Sequence, residues 1–158
     1  MALGEKQFFV IVHNVRSRYN VGSIFRTADS LGVSKLYLTG YTPAPPHEKI
    51  TKVALGAENF VPWEKHTSPL RLISRLKKEH PKLFVVGLEN NIRSKKLISL
   101  KNFKPKFPLV LIIGEETKGI PKKLLNLCNK VVEIPMQGQK ESLNVSVAFG
   151  IAAYKILN

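Results

Sequence analysis

Short continuous apolar runs alternate along this chain with segments of helical periodicity. Phe8 to Val12 is an unbroken apolar, β-branched run, as expected of a strand buried on both faces of a parallel sheet. After the loop His13 to Asn20, Val21, Ile24, Phe25, Ala28 and Leu31 recur at helical spacing, and Gly32 supplies a stop. Lys35 to Thr39 then reads as a second strand, so the chain opens with a β-α-β unit. Gly40 to Pro46 is a proline-rich loop.

Further on, Ile50 to Leu55 is a short helical segment ended by Gly56. Phe60 to Trp63 has strand character broken by proline, hence an edge. Ser68 or Pro69 begins a helix carrying Leu70, Ile73 and Leu76, with Lys77 and Lys78 on its far side. Phe84 to Leu88 and Leu109 to Ile113 are buried strands, and Lys95 to Lys106 is a basic loop with room for a short strand. Pro121 can start a helix at its first turn. Val131 to Ile134 is a strand stopped by Pro135, and Ser142 or Asn144 caps a last helix whose apolar residues include Val147, Ile151, Tyr154 and Ile156. Six strand candidates alternating with helices predict an α/β fold: a mostly parallel sheet with helices on both faces. Ligands bind such sheets at the carboxyl ends of strands, where Glu89 to Asn91 stand after Leu88.

Composition limits what this fold can be doing. A chain of 158 residues, 44% apolar, supports one core, so residues 1–158 are expected to be a single domain without an appended RNA-binding module. The run Leu109 to Ile113 is far below the roughly 18 to 20 residues of a membrane helix. The start, Met1 to Gln7, has no apolar leader core before the first strand, which predicts a cytoplasmic protein. One cysteine excludes an internal disulfide, and Cys128 is expected as a buried helix residue rather than a nucleophile. His13, His47, His66 and His80 are scattered singly, so no metal site is expected.

A net charge of +14 and a pI near 10.0 point to polyphosphate or an anionic membrane; without a basic amphipathic helix, nucleic acid is favoured. The pairs Lys77-Lys78, Lys95-Lys96 and Lys122-Lys123 would equally suit a solvated surface. In the loop after the first strand, Arg16, Arg18 and Tyr19 set cations beside an aromatic, a combination that can hold phosphates and stack a base.

Three polar segments could share one pocket: Asn20 with Arg26 six residues on; Gly114-x-Glu116-x-x-Gly119; and Ile134-Pro-Met136 followed by Ser142-Leu-Asn144. The second has the glycine spacing of a phosphate-binding P-loop. That motif needs Lys-Ser or Lys-Thr next, and Ile120-Pro121 follow, which excludes it. Tight glycine turns beside Ile134, Met136 and Leu143 suit instead a bent cofactor with an apolar purine edge and a thioether-like centre.

In order and spacing these segments resemble the three motifs of the SpoU or TrmH family of RNA ribose methyltransferases, within the SPOUT superfamily. The resemblance implies a C-terminal trefoil knot, a homodimer, and S-adenosyl-L-methionine held near Leu88, Gly114, Glu116, Gly119, Ile134, Met136, Ser142 and Leu143. It also implies RNA 2′-O-methylation, with tRNA expected over rRNA as substrate, and a catalytic set of Arg26, Asn20, Glu116, Ser142 and Asn144. The family gives activation of the ribose hydroxyl to the arginine matching Arg26. A guanidinium is a permanent cation, better suited to holding the adjacent phosphate and stabilising a developing alkoxide than to acting as a literal base. Glu116 can pair with Arg26 or fix the glycine loop. Thr117 departs mildly from the family pattern, where glycine or a cation is more usual. The alternative from another class is a noncatalytic RNA-binding or assembly protein that keeps the fold.

Overall fold

The computed structural model describes residues 6–158, so the leader reading at residues 1–5 lies outside the described residues. Its strands are β1 (Phe8–His13), β2 (Lys35–Thr39), β3 (Trp63–His66), β4 (Phe84–Leu88), β5 (Leu97–Ser99), β6 (Leu109–Ile113) and β7 (Lys130–Glu133). They form one sheet in the order β3-β2-β1-β6-β4-β7-β5, and every pairing is parallel. The β1 and β6 runs contain no polar interruption because both strands are central and covered on both sides.

The pleat sends alternate residues into two cores. Phe8, Val10 and Val12 of β1 and Leu109, Leu111 and Ile113 of β6 enter the first, with Val21, Ile24 and Phe25 of α1 (Arg18–Leu31), Ile50 of α2 (Glu48–Ala54) and Phe149 of α5 (Val145–Leu157). Phe9, Ile11, Val110 and Ile112 enter the second, with Leu72, Ile73 and Leu76 of α3 (Pro69–Glu79) and Leu124 of α4 (Lys122–Leu125). Each such side chain, withdrawn from water, contributes about 1.5–3 kcal/mol to folding before entropy is subtracted. Helices on both faces of a parallel sheet are the architecture that the apolar pattern predicts.

Several boundaries differ from the sequence reading, each for a local reason. Strand β3 begins at Trp63 instead of Phe60, because Pro62 has no amide to pair; its carbonyl accepts from Leu36 N at 2.9 Å, and Phe60 is 75% exposed. The edge position does hold for β3, and the basic loop supplies β5 at the opposite edge. Helix α1 starts at Arg18 rather than Asn20, because Ser17 Oγ accepts from Asn20 N at 3.1 Å and caps it. Asn20 therefore sits in the first turn with its carboxamide free for tertiary contacts. His47 likewise caps α2, which begins at Glu48 instead of Ile50.

On α3 the buried residues are Leu72, Ile73 and Leu76, whereas Leu70 is exposed. Pro121 is the N-cap of the one-turn α4. Cys128 lies beyond that helix, contrary to its expected helical position, and is buried with its thiol directed at Leu124 O. Strand β7 ends at Glu133 because the amide of Ile134 is taken by the side chain of Asn90. Asn144, not Ser142, caps α5: its Oδ1 accepts from Ser146 N at 2.9 Å. The buried face of α5 is Val145, Phe149, Ala152, Ala153 and Ile156, while Val147, Ile151 and Tyr154 remain exposed.

Candidate functional site

Because all strands run the same way, their carboxyl ends share one rim of the sheet. A cleft opens there between the ends of β4 and β6, the loop after β7 and the start of α5. Leu88, Gly114, Glu116, Gly119, Ile134, Met136, Ser142 and Leu143 line it. All eight residues expected around a cofactor thus line one cleft. Glu89 and Asn90, at the strand end where a ligand is expected, also line it, as does Glu115, which the sequence pattern does not single out.

The glycine loop is shaped by backbone contact. A Cβ on Gly114 would stand 2.7 Å from the Gly119 carbonyl, so only glycine permits the fold-back that the Gly119 N to Glu115 O bond (2.9 Å) closes. Gly119 has φ +65° and packs against the Glu89 carboxylate, which accepts from Ile120 N at 2.7 Å. Burial pushes the Glu89 carboxyl above the usual carboxylate range, against the lowering effect of backbone amides at Ile120 and Asn90. Asn90 imitates a strand partner: its Nδ2 donates to Ile134 O at 2.8 Å and its Oδ1 accepts from Ile134 N at 3.1 Å. Asn91, at φ +61°, donates to Glu141 O at 3.1 Å. The loop after β7 is thereby tied to the loop after β4.

At the cleft's edge the three motifs touch. Asn20 Nδ2 donates to Glu116 Oε1 at 2.5 Å, and Asn20 Oδ1 accepts from Asn144 Nδ2 at 3.2 Å. Since a carboxylate only accepts, the pair orients the Asn20 carboxamide and leaves its oxygen for Asn144. Asn144 Oδ1 in turn accepts from Ser146 Oγ at 2.6 Å.

Arg26 stands apart from this chain. Six residues along a helix is about 600°, or roughly 120° around the axis from Asn20. Arg26 is exposed, and its guanidinium has no hydrogen-bond partner among the described residues. Of the two roles open to Glu116, pairing with Arg26 does not form; its carboxylate is engaged by Asn20. Ser142 is exposed on the cleft wall. Of the loop cations, Arg18 opens α1 beside the half-exposed Tyr19, and Arg16 lies on the ring of Tyr41, a residue from the loop after β2. Tyr41 escaped sequence reasoning; a lone aromatic in a proline-rich loop was the only signal. His13 is buried, with Nδ1 2.9 Å from Thr39 Oγ1, and burial lowers its pKa against the opposing field of Glu115.

The arrangement fits S-adenosyl-L-methionine. Apolar Leu88, Ile134, Met136 and Leu143 offer a surface for a purine and a thioether, and Glu89, Glu115 and Glu116 complement a sulfonium and an ammonium. Among the described residues no group of three or more His, Cys, Asp or Glu is placed to hold a metal ion, and no helix is long and apolar enough to cross a membrane.

Comparison with known proteins agrees with this geometry. The model of the SpoU rRNA Methylase family matches residues 7–154. The 23S rRNA (guanosine-2'-O-)-methyltransferase RlmB of Salmonella typhi is 30% identical over 155 residues, which are 98% of this chain and 61% of that protein. The chain thus spans about three fifths of the length of such curated relatives. The SpoU methyltransferase AviRb from Streptomyces viridochromogenes, solved in complex with AdoMet, superposes with a TM-score of 0.88 at 26% identity, covering 99% of this chain and 61% of that one. A structure described as giving insights into 2-OH methylation of C/U34 on tRNA superposes with a TM-score of 0.81 at 25% identity, covering 96% of this chain and 95% of that one.

Proposed function

This chain belongs to the SpoU rRNA methylase family, and from that premise we propose that it is an S-adenosyl-L-methionine-dependent RNA 2′-O-ribose methyltransferase acting on tRNA. The observation that carries the reading is the cleft in which all eight expected cofactor-contacting residues meet, edged by the Asn20, Glu116 and Asn144 chain. The preference for tRNA draws support from the structural likeness, at a TM-score of 0.81, to the chain concerned with 2-OH methylation of C/U34 on tRNA. RlmB, which acts on 23S rRNA, keeps rRNA as the alternative.

S-Adenosyl-L-methionine, when bound, supplies an electrophilic methyl group. Leu88, Gly114, Gly119, Ile134, Met136 and Leu143 would hold it, with Ser142 and Glu116 at its polar edge. This chain's remaining task is to place a ribose 2′-hydroxyl and to favour passage of its proton to a phosphate oxygen or a water molecule. Asn20, fixed by Glu116 and Asn144, orients the ribose. Arg26 holds the adjacent phosphate and stabilises the developing alkoxide.

The same reading includes a homodimer and the C-terminal knot. Val147, Ile151 and Tyr154 form an uncovered apolar stripe on α5, and Thr27, next to Arg26, packs against Gly150 of that helix. Pairing of two copies over this stripe would bring the other copy's surface to Arg26. The tie between the loops after β4 and β7 supports the knot in this reading.

The test is transfer of labelled methyl to purified tRNA and rRNA, followed by alkaline digestion, which a 2′-O-methyl nucleotide resists at its own linkage. Arg26→Ala should abolish the product while calorimetry still finds one cofactor site per chain. Retention of RNA without any transfer would favour the noncatalytic reading. Label in a methylated base, or a fully active monomer in sedimentation, would overturn the corresponding part.

A further inference from the structure

We propose that Tyr41 is a positioning residue for RNA: it presets Arg16 as a phosphate receptor and ties it to the glycine loop of the cleft. The inference rests on the RNA methyltransferase reading and extends it to a residue outside the three motifs.

The loop after β2 is held independently of the Tyr41 side chain. Asn14, at φ +55°, accepts from Tyr41 N through Oδ1 at 3.0 Å. Buried Thr42 donates to Val12 O at 2.9 Å and accepts from Val15 N at 3.1 Å. Lys65 of β3 donates to the carbonyls of Gly40 and Thr42. This frame leaves Tyr41 47% exposed at the rim of the sheet.

From there Tyr41 joins two loops. Its hydroxyl donates to Glu115 Oε2 at 2.8 Å, and the Glu115 side chain is 9% exposed. Arg16 lies with its guanidinium carbon 5.1 Å from the Tyr41 ring centroid, Nε 3.3 Å from the hydroxyl and 3.9 Å from Glu115. The Arg16 side chain is nevertheless 71% exposed, and its terminal nitrogens have no hydrogen-bond partner among the described residues.

A free surface arginine loses much rotamer freedom on meeting a phosphate; here that ordering is already made, and the side chain stays largely exposed. Glu115 directly precedes Glu116, which holds Asn20. The bridge therefore sets the phosphate receptor at a fixed place relative to the motif junction.

Steady-state methyl transfer and fluorescence binding of a 5′-labelled tRNA transcript test this. Tyr41→Phe keeps the ring and should raise the KM for RNA about threefold; Tyr41→Ala should raise it about tenfold. The cofactor Kd should stay unchanged and kcat should move by less than about twofold. Arg16→Ala should match Tyr41→Ala, and the double variant should be no worse than Arg16→Ala, since Tyr41 acts through Arg16. Additive losses, an unchanged KM in Tyr41→Ala, or a parallel loss of cofactor affinity would each overturn the proposal. Lack of any transfer by the unaltered protein would instead defeat the methyltransferase reading, and RNA binding of the variants would then decide on Tyr41 alone.

Discussion

Asn20 and Glu116 are 96 residues apart in the chain, yet Nδ2 and Oε1 meet at 2.5 Å. The contact exists because β1 and β6 are neighbours in the sheet, which brings the loops following both strands to one rim. With Asn144 on the other side of Asn20, the start, middle and end of the chain converge on a single carboxamide.

Breaking this convergence should harm turnover far more than stability. Asn20→Ala removes the link at a partly exposed position and is expected to lower single-turnover methyl transfer about 100-fold, with a melting temperature near that of the parent. Asn20→Asp should be at least as damaging, because it sets a second carboxylate against Glu116. Rapid-quench transfer at saturating cofactor, with a thermal scan alongside, is the check.

Two glycines separate backbone strain from site chemistry. Gly32 (φ +73°) and Gly119 (φ +65°) both occupy the left-handed region, where any Cβ costs about 1–2 kcal/mol. A Cβ at Gly32 meets nothing within 4 Å, whereas one at Gly119 runs into the Glu89 carboxylate. Gly32→Ala should therefore lower stability by about 1 kcal/mol and leave cofactor affinity intact. Gly119→Ala should cost more and also weaken cofactor binding, as urea denaturation and calorimetry would register.

Acid sensitivity should be concentrated at the β3 edge. Glu64 accepts from Lys35, His66 and Arg75, and these bonds, that from Lys35 foremost, lower its pKa to about 2. A folded-state pKa below the unfolded value of 4.5 means stabilisation that is complete above that value and lost as pH falls through it toward 2. With its side chain 35% exposed, Glu64 is screened, so the gain should be modest and salt-sensitive. Glu64→Gln should be less stable than the parent at pH 7, with the gap closing toward pH 2; an unchanging gap would contradict the assignment.

Cys128 should be chemically silent in the folded protein. Burial pushes its thiol up to about 11, against the weaker influence of Lys96 and Lys77, and its Sγ donates to Leu124 O. A maleimide reagent at pH 7.5 should leave the native chain unlabelled and react fully in denaturant. Rapid native labelling would show that the α4 segment opens readily.

Much of this molecule was legible in the residues themselves. Phe8 to Val12 and Leu109 to Ile113 read as doubly buried strands because burial on both faces removes every polar position from a run, a property local to the segment. Gly114 and Gly119, and the apolar Ile134 and Met136 after a strand end, marked the cleft for a similar reason: close backbone approach and apolar lining restrict residue type at the position itself. Strand order, by contrast, depends on packing between distant segments. That packing placed Asn20 on Glu116, so that Arg26 does not meet it, and left one stripe of α5 uncovered. It also joined Tyr41 to Arg16 and Glu115, three residues in three loops with no shared periodicity. The sequence alone determined the layers and the kinds of residue at the rim, because secondary structure and burial follow from local pattern. Only the tertiary structure decided which of those residues are partners, because a side chain's partner is set by where the sheet delivers its loop.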